Sequence, residues 1–99
     1  MSRHIKDIRK CTFSDFYCTC CGMKGVPIIR KPGKQKEPGH LKKLFCLNCQ
    51  TEKNMVEIKP RGKYTLDDFL IEYNGHNFDE NGNRIEKWEH FIKERQCNE

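Results

Sequence analysis

Two pairs of cysteines sit at metal-ligand spacing in this chain, Cys18-x-x-Cys21 and Cys46-x-x-Cys49. A C-x-x-C loop lets two thiolates converge on one ion while the intervening amides turn toward the sulfurs. Four thiolates at about 2.3 Å in a tetrahedron make a closed structural zinc site. The spacing therefore predicts one structural zinc ion on Cys18, Cys21, Cys46 and Cys49. The 24 residues between the pairs suit two knuckles joined by a β-hairpin.

The stretch "YCTCCG" (17–22) offers three cysteines in four positions. Gly22 follows Cys21, and a glycine there suits the sharp, left-handed turn that ends a knuckle. This favours Cys18 and Cys21 as ligands, with Cys20 pointing elsewhere; the alternative is ligation by Cys18 and Cys20. Cys11 and Cys97 have no partner at ligand spacing. Paired C-x-x-C loops also hold iron or an iron–sulfur cluster, but the long basic insertion would shield a redox centre poorly.

Composition explains why a staple is needed. Only 35% of the 99 residues are hydrophobic while 33% are charged, and a chain this short builds a thin core. An odd number of cysteines, 7 in all, argues against a complete disulfide framework. The N-terminal "MSRHIKDIRK" has no apolar signal region, and no run approaches the roughly 20 apolar residues of a membrane span. A reducing cytoplasm is expected, with no membrane contact.

The net charge of +5 hides an asymmetry. Residues 1–63 carry 15 Lys/Arg against 5 Asp/Glu; residues 64–99 carry 4 against 9. The steepest part contains Lys24, Arg30, Lys31, Lys34, Lys36, Lys42 and Lys43 against Glu37.

The elements that would position these groups fall in order. Residues 1–16 are expected to be an arm, either a short helix or irregular. Residues 17–59 form the metal-bound module, with short strands at 25–31, 40–46 and 54–59, and a charged Pro-Gly loop at 31–40. Residues 60–64 are a linker, and 65–99 an acidic helical segment. Its first helix spans 65–75, with Thr65 as N-cap, Asp68 three residues on and Gly75 as the stop. Its second helix spans 84–96, after a turn at 77–84. Phe69, Leu70, Tyr73, Trp88, Phe91 and Ile92 would pack the helices on the module. The expected class is α+β, three short antiparallel strands followed by two C-terminal helices.

Residues 17–59 resemble a zinc ribbon. The combination "YCTCCGMKGVPIIRK…GHLKKLFCLNCQTEKNMVEI" is also similar to small uncharacterised zinc-ribbon proteins of phages of Gram-positive bacteria. That resemblance implies fold and metal, not an activity. "LKKLFCLNCQTEK" is similar to the closing segment of zinc-containing HNH nucleases. Those enzymes often carry a histidine after the second cysteine and need an upstream Asp-His pair. Here Gln50 stands in the first place, no Asp stands just before His40 and residues 22–39 contain no histidine, so the catalytic elements are missing. His40 is expected to be exposed at a loop–strand junction, His76 to belong to a loop, and His90 to face solvent.

A four-thiolate site leaves no open coordination position, so no enzyme and no small-molecule substrate is expected. One reading is a nucleic-acid-binding or transcription-associated factor whose basic hairpin presents Arg30, Lys31, Lys34, Lys36, Lys42 and Lys43 to phosphates. The other is a phage-encoded inhibitor of a host nucleic-acid enzyme or a defence nuclease such as a CRISPR effector. There the acidic Asp67, Asp68 and Glu72 would engage a basic protein surface.

Overall fold

The computed structural model describes residues 12–30 and 37–97. Strands β1 (Thr12–Cys18), β2 (Ile28–Arg30), β3 (Leu41–Cys46) and β4 (Thr51–Ile58) precede helices α1 (Leu66–Asn74) and α2 (Trp88–Cys97). The strands make one antiparallel sheet in the order β2-β1-β4-β3. The class is α+β as expected, with four strands in place of three.

The additional strand is β1, in a stretch expected to be an arm; residues 1–11 lie outside the described residues. Ser14 is 0% exposed while Phe13 is 60% exposed. Inner and outer positions are therefore inverted in polarity at the start of the strand, which hides its period-2 pattern. Burial is nonetheless alternate. Phe16 and Cys18 join Cys46 and Met55 in one cluster, with Ile28 and Leu44 packed against it. On the opposite face Val56 packs with Tyr64 and Phe69, flanked by Tyr17, Leu41, Ile58 and Trp88. Full burial of Phe16 or Phe69 contributes about 1.5–3 kcal/mol each.

Each knuckle is the turn of its own hairpin. β1 pairs with β2 in the register Phe13↔Ile29, and β3 pairs with β4 in the register Lys43↔Asn54. The expected pairing of 25–31 with 40–46 does not occur, because β2 and β3 lie on opposite edges. A knuckle closes each observed hairpin, the first reinforced by the bridge Tyr17↔Lys24.

Thr65 caps α1 as expected. Its Oγ1 accepts from the Asp68 amide (3.3 Å) while the Asp68 carboxylate accepts from the Thr65 amide (2.9 Å). The helix stops at Gly75 as expected, but the left-handed residue is the next one. Gly75 keeps a right-handed φ of −89°, and His76 takes the left-handed conformation at φ 62°. The Asn77 amide then donates to the Glu72 carbonyl (2.9 Å) and the His76 amide to the Tyr73 carbonyl (3.2 Å). That is a Schellman closure with histidine in the glycine position.

The second helix starts at Trp88, not at 84. Asn77 ties down the intervening backbone in a non-helical form: its carbonyl accepts from the Ile85 amide (2.8 Å) and its Oδ1 from the Glu86 amide (3.0 Å). Leu70 and Ile85 are 42% and 65% exposed, so neither belongs to the core. Tyr64, in the stretch read as a linker, does belong to it. Its ring meets Trp88 edge-on at 5.1 Å and covers Gly39, where an added Cβ would fall 2.6 Å from the ring. The left-handed φ of 70° at Gly39 adds a second reason for glycine there.

Candidate metal centre

The topology brings the cysteines together. β1 runs antiparallel to β4 with Cys18 opposite Met55, so the end of β1 lies beside the start of β4. Cys46, ending β3, pairs with Thr51 at that same start. The two hairpin turns thus meet at one end of the sheet.

The four sulfurs of Cys18, Cys21, Cys46 and Cys49 all lie within 4.8 Å of one another. Cys18 and Cys49 are separated by 3.9 Å and Cys21 and Cys46 by 3.6 Å. A tetrahedron with arms of ~2.3 Å has edges of about 3.8 Å. The set is therefore compatible with a single four-coordinate ion.

The backbone supports that geometry twice over. In the first knuckle the Cys20 and Cys21 amides point at the Cys18 sulfur, at 3.4 and 3.5 Å. In the second the Cys49 amide points at the Cys46 sulfur at 3.4 Å. The Gly22 amide donates to the Cys18 carbonyl (2.8 Å) and the Gln50 amide to the Cys46 carbonyl (2.7 Å). Gly22 and Gln50 are both left-handed, at φ 77° and 62°. Gln50 is thus the conformational counterpart of Gly22.

Burial pushes the Cys18 thiol up, against the opposing pull of the Cys21 and Cys20 amides. Cys49 is also pushed up, by burial and then by hydrogen bonding with the Cys46, Cys21 and Cys18 thiols. Burial would raise Cys21 too, but the Met23 amide and neighbouring donors outweigh it and bring the thiol down to about 7. A cluster that resists complete ionisation by itself is stabilised by a cation at its centre. Cys20 is exposed and outside the cluster. Cys11 lies outside the described residues, and no side-chain placement is described for Cys97.

The described members of the expected basic finger lie on different strands. Arg30 reaches from β2 across the sheet to the buried Glu57 on β4, Nε to Oε2 at 3.1 Å. Lys42 and Lys43 are exposed on the far edge strand, and being adjacent in a strand they point to opposite faces. Lys31, Lys34 and Lys36 lie outside the described residues.

The acidic set is also divided. Glu72 is 0% exposed and cannot face a partner. Its carboxylate accepts from Tyr64 Oη (2.6 Å), from Asn77 Nδ2, and from Arg84 Nε and Nη2 (2.8 and 2.9 Å). Asp68 serves the helix cap, and Asp67 is exposed.

Two buried ionic centres were not anticipated. His40, expected to be exposed, puts Nδ1 3.0 Å from Glu57 Oε1. Glu57 is held at ion-pair distance from Arg30 and His40 without hydrogen-bond alignment. The signal available for Glu57 was its place two residues after Met55, on the same strand face. Glu72 gave a weaker one, lying three residues after Phe69 on the buried helix side. His76 is accounted for by helix termination. No helix among the described residues is long and apolar enough to cross a membrane.

Searches against protein-family models, curated proteins and solved structures find no match to this chain.

Proposed function

We propose that the chain is a small zinc-ribbon factor that binds nucleic acid through phosphate contacts, with zinc as a structural ion in the cysteine cluster. The four-sulfur geometry supports zinc, because the donor set is all thiolate, close to tetrahedral and closed. Cobalt substitution tests it: tetrahedral thiolate absorption at one ion per chain is expected, and its absence removes the metal reading.

The observation that carries the nucleic-acid reading is a local excess of unpaired cations over residues 42–63, where the acids are Glu52 and Glu57. Among the described residues Lys24 pairs with Asp15 and Arg30 with Glu57, while Lys42, Lys43, Lys53, Lys59, Arg61 and Lys63 have no ion-pair partner. They are held on or beside one rigid sheet, which suits counterion release from a phosphate backbone without base readout. Anisotropy titrations with labelled RNA and DNA at increasing salt test this. Binding whose logarithm falls linearly with the logarithm of salt is expected; no binding at low salt ends the reading.

A second reading, a protein-binding inhibitor of a nucleic-acid enzyme, has one observation in its favour. Leu66 and Leu70 are 39% and 42% exposed, one helical turn apart and beside the exposed Asp67, an apolar and acidic helix face of the kind that docks on protein. A stoichiometric protein partner that survives nuclease treatment in a pull-down would favour it over nucleic acid.

A further inference from the structure

Past β4 the chain makes a tight turn, Lys59-Pro60-Arg61-Gly62, closed by the Gly62 amide donating to the Lys59 carbonyl at 3.1 Å. Pro60 presets the backbone for the second position of such a turn. The turn faces the segment that leads into β3, and between them lies a cleft of about 690 Å³. Lys59, Arg61 and Lys63 line it from one side, Glu37 and Pro38 from the other.

Three features make this more than a solvated loop. The three cations alternate along five residues and still reach one concavity, because the turn folds them round it. None of the three has an ion-pair partner among the described residues, and they outnumber the two carboxylates of the lining, Glu37 and the buried Glu57. Finally, the cleft is anchored. Tyr64, directly after Lys63, is 1% exposed and bonded to Glu72, and the opposite wall is fixed by Arg84 Nη1 donating to the Gly39 carbonyl at 2.8 Å. A cationic concavity on rigid supports concentrates anions.

We propose that this cleft is a seat for a phosphodiester backbone, with Lys59, Arg61 and Lys63 each neutralising a phosphate. The proposal rests on the nucleic-acid reading above and gives it a site outside the strands that sequence singled out. Tyr64 is too buried to stack on a base, so contact is to phosphate and independent of base sequence. Glu37 and, from within the wall, Glu57 oppose binding and set a limit on it, the second offset by its ion pairs with Arg30 and His40.

The test uses the full metal-loaded chain and labelled single-stranded RNA, single-stranded DNA and duplex DNA. The variants are Lys59→Gln/Arg61→Gln/Lys63→Gln, Lys42→Gln/Lys43→Gln and Glu37→Gln, all at exposed or half-buried positions, with circular dichroism checking the fold. For a single strand each lost phosphate contact flattens the salt slope by ~0.7, so the triple variant should lose about 2 from the slope. Equivalently, about 20-fold of the wild-type's loss of affinity between 50 and 200 mM salt should disappear. Glu37→Gln should tighten binding, a sign that a merely structural role would not produce.

If wild-type protein binds and the triple variant matches it in affinity and slope, the cleft is overturned while the nucleic-acid reading stands. If wild-type protein binds no oligonucleotide, sodium tripolyphosphate titrated against the Arg61, Gly62 and Lys63 amides decides the rest. Saturable shifts there keep the cleft as a phosphate site and discard the nucleic-acid reading; unmoved amides discard both.

Discussion

The Tyr73 hydroxyl donates to the Cys20 carbonyl at 3.3 Å, joining helix α1 to the first cysteine knuckle. The same ring packs on Gly22, where an added Cβ would lie 3.1 Å from it. Phe69 stacks on Tyr73 at 5.6 Å and carries the contact into the helical core. The acidic segment and the cysteine cluster are thus mechanically one unit, and damage at either should be felt at the other.

Gly22→Ala is the direct probe of that joint. The left-handed φ of 77° and the Tyr73 ring both oppose a side chain, and together should cost about 1–3 kcal/mol. Adding Tyr73→Ala should relieve the steric part and leave the conformational part. Urea denaturation of the single and double variants checks this. Simple additivity of the two losses would show that the ring does not bear on the knuckle.

Metal removal should unfold the sheet. Binding of a structural zinc is worth about 10–16 kcal/mol in small modules, as large as the entire stability of a typical domain at 5–15 kcal/mol. Chelation is expected to abolish the strand signal in circular dichroism, and an unchanged spectrum after verified metal loss contradicts it. Serine at Cys18, Cys21, Cys46 or Cys49 should abolish stoichiometric binding. Cys20→Ser should not, because Cys20 contributes its backbone amide to the Cys18 sulfur and no ligand.

The cysteine pairs were legible because a C-x-x-C loop is local: four residues determine its geometry. Helix α1 was legible for the same reason, through Thr65 and Asp68. What the sequence concealed was non-local. β1 hides because Ser14 is buried and Phe13 is not, an inversion that only the neighbouring strands explain. Arg30 and the pair Lys42 and Lys43 fall on opposite edges of the sheet, because strand pairing, not charge, decides which cations share a surface. Glu57 and Glu72 looked like solvated acids until Arg30, His40 and Arg84, from distant positions, supplied their partners.

Helix termination offers a test with opposite signs at adjacent residues. His76 is left-handed and Gly75 is not. His76→Gly should therefore stabilise by about 0.5–1 kcal/mol, and Gly75→Ala should be neutral or slightly stabilising. Thermal melts are sufficient to read both. Destabilisation by Gly75→Ala would mean that the glycine itself carries the left-handed turn.

The Glu72 network should govern both stability and its alkaline limit. Arg84→Ala leaves a buried carboxylate with only Tyr64 and Asn77, and should cost about 3–5 kcal/mol. Tyr64→Phe removes one hydrogen bond to that charge and should cost about 1.5–3 kcal/mol. Burial, then the bond to Glu72, holds the Tyr64 proton well above the ordinary phenol range. A folded pKa above the unfolded value of about 10 contributes stability that is complete below that pH and lost as pH rises beyond it. The wild-type protein should therefore lose stability progressively above about pH 10, and Tyr64→Phe should remove a clear part of that slope. Denaturant midpoints from pH 8 to 11 measure it. Parallel curves for the two proteins would mean that Tyr64 ionises in the folded state as readily as in the unfolded chain.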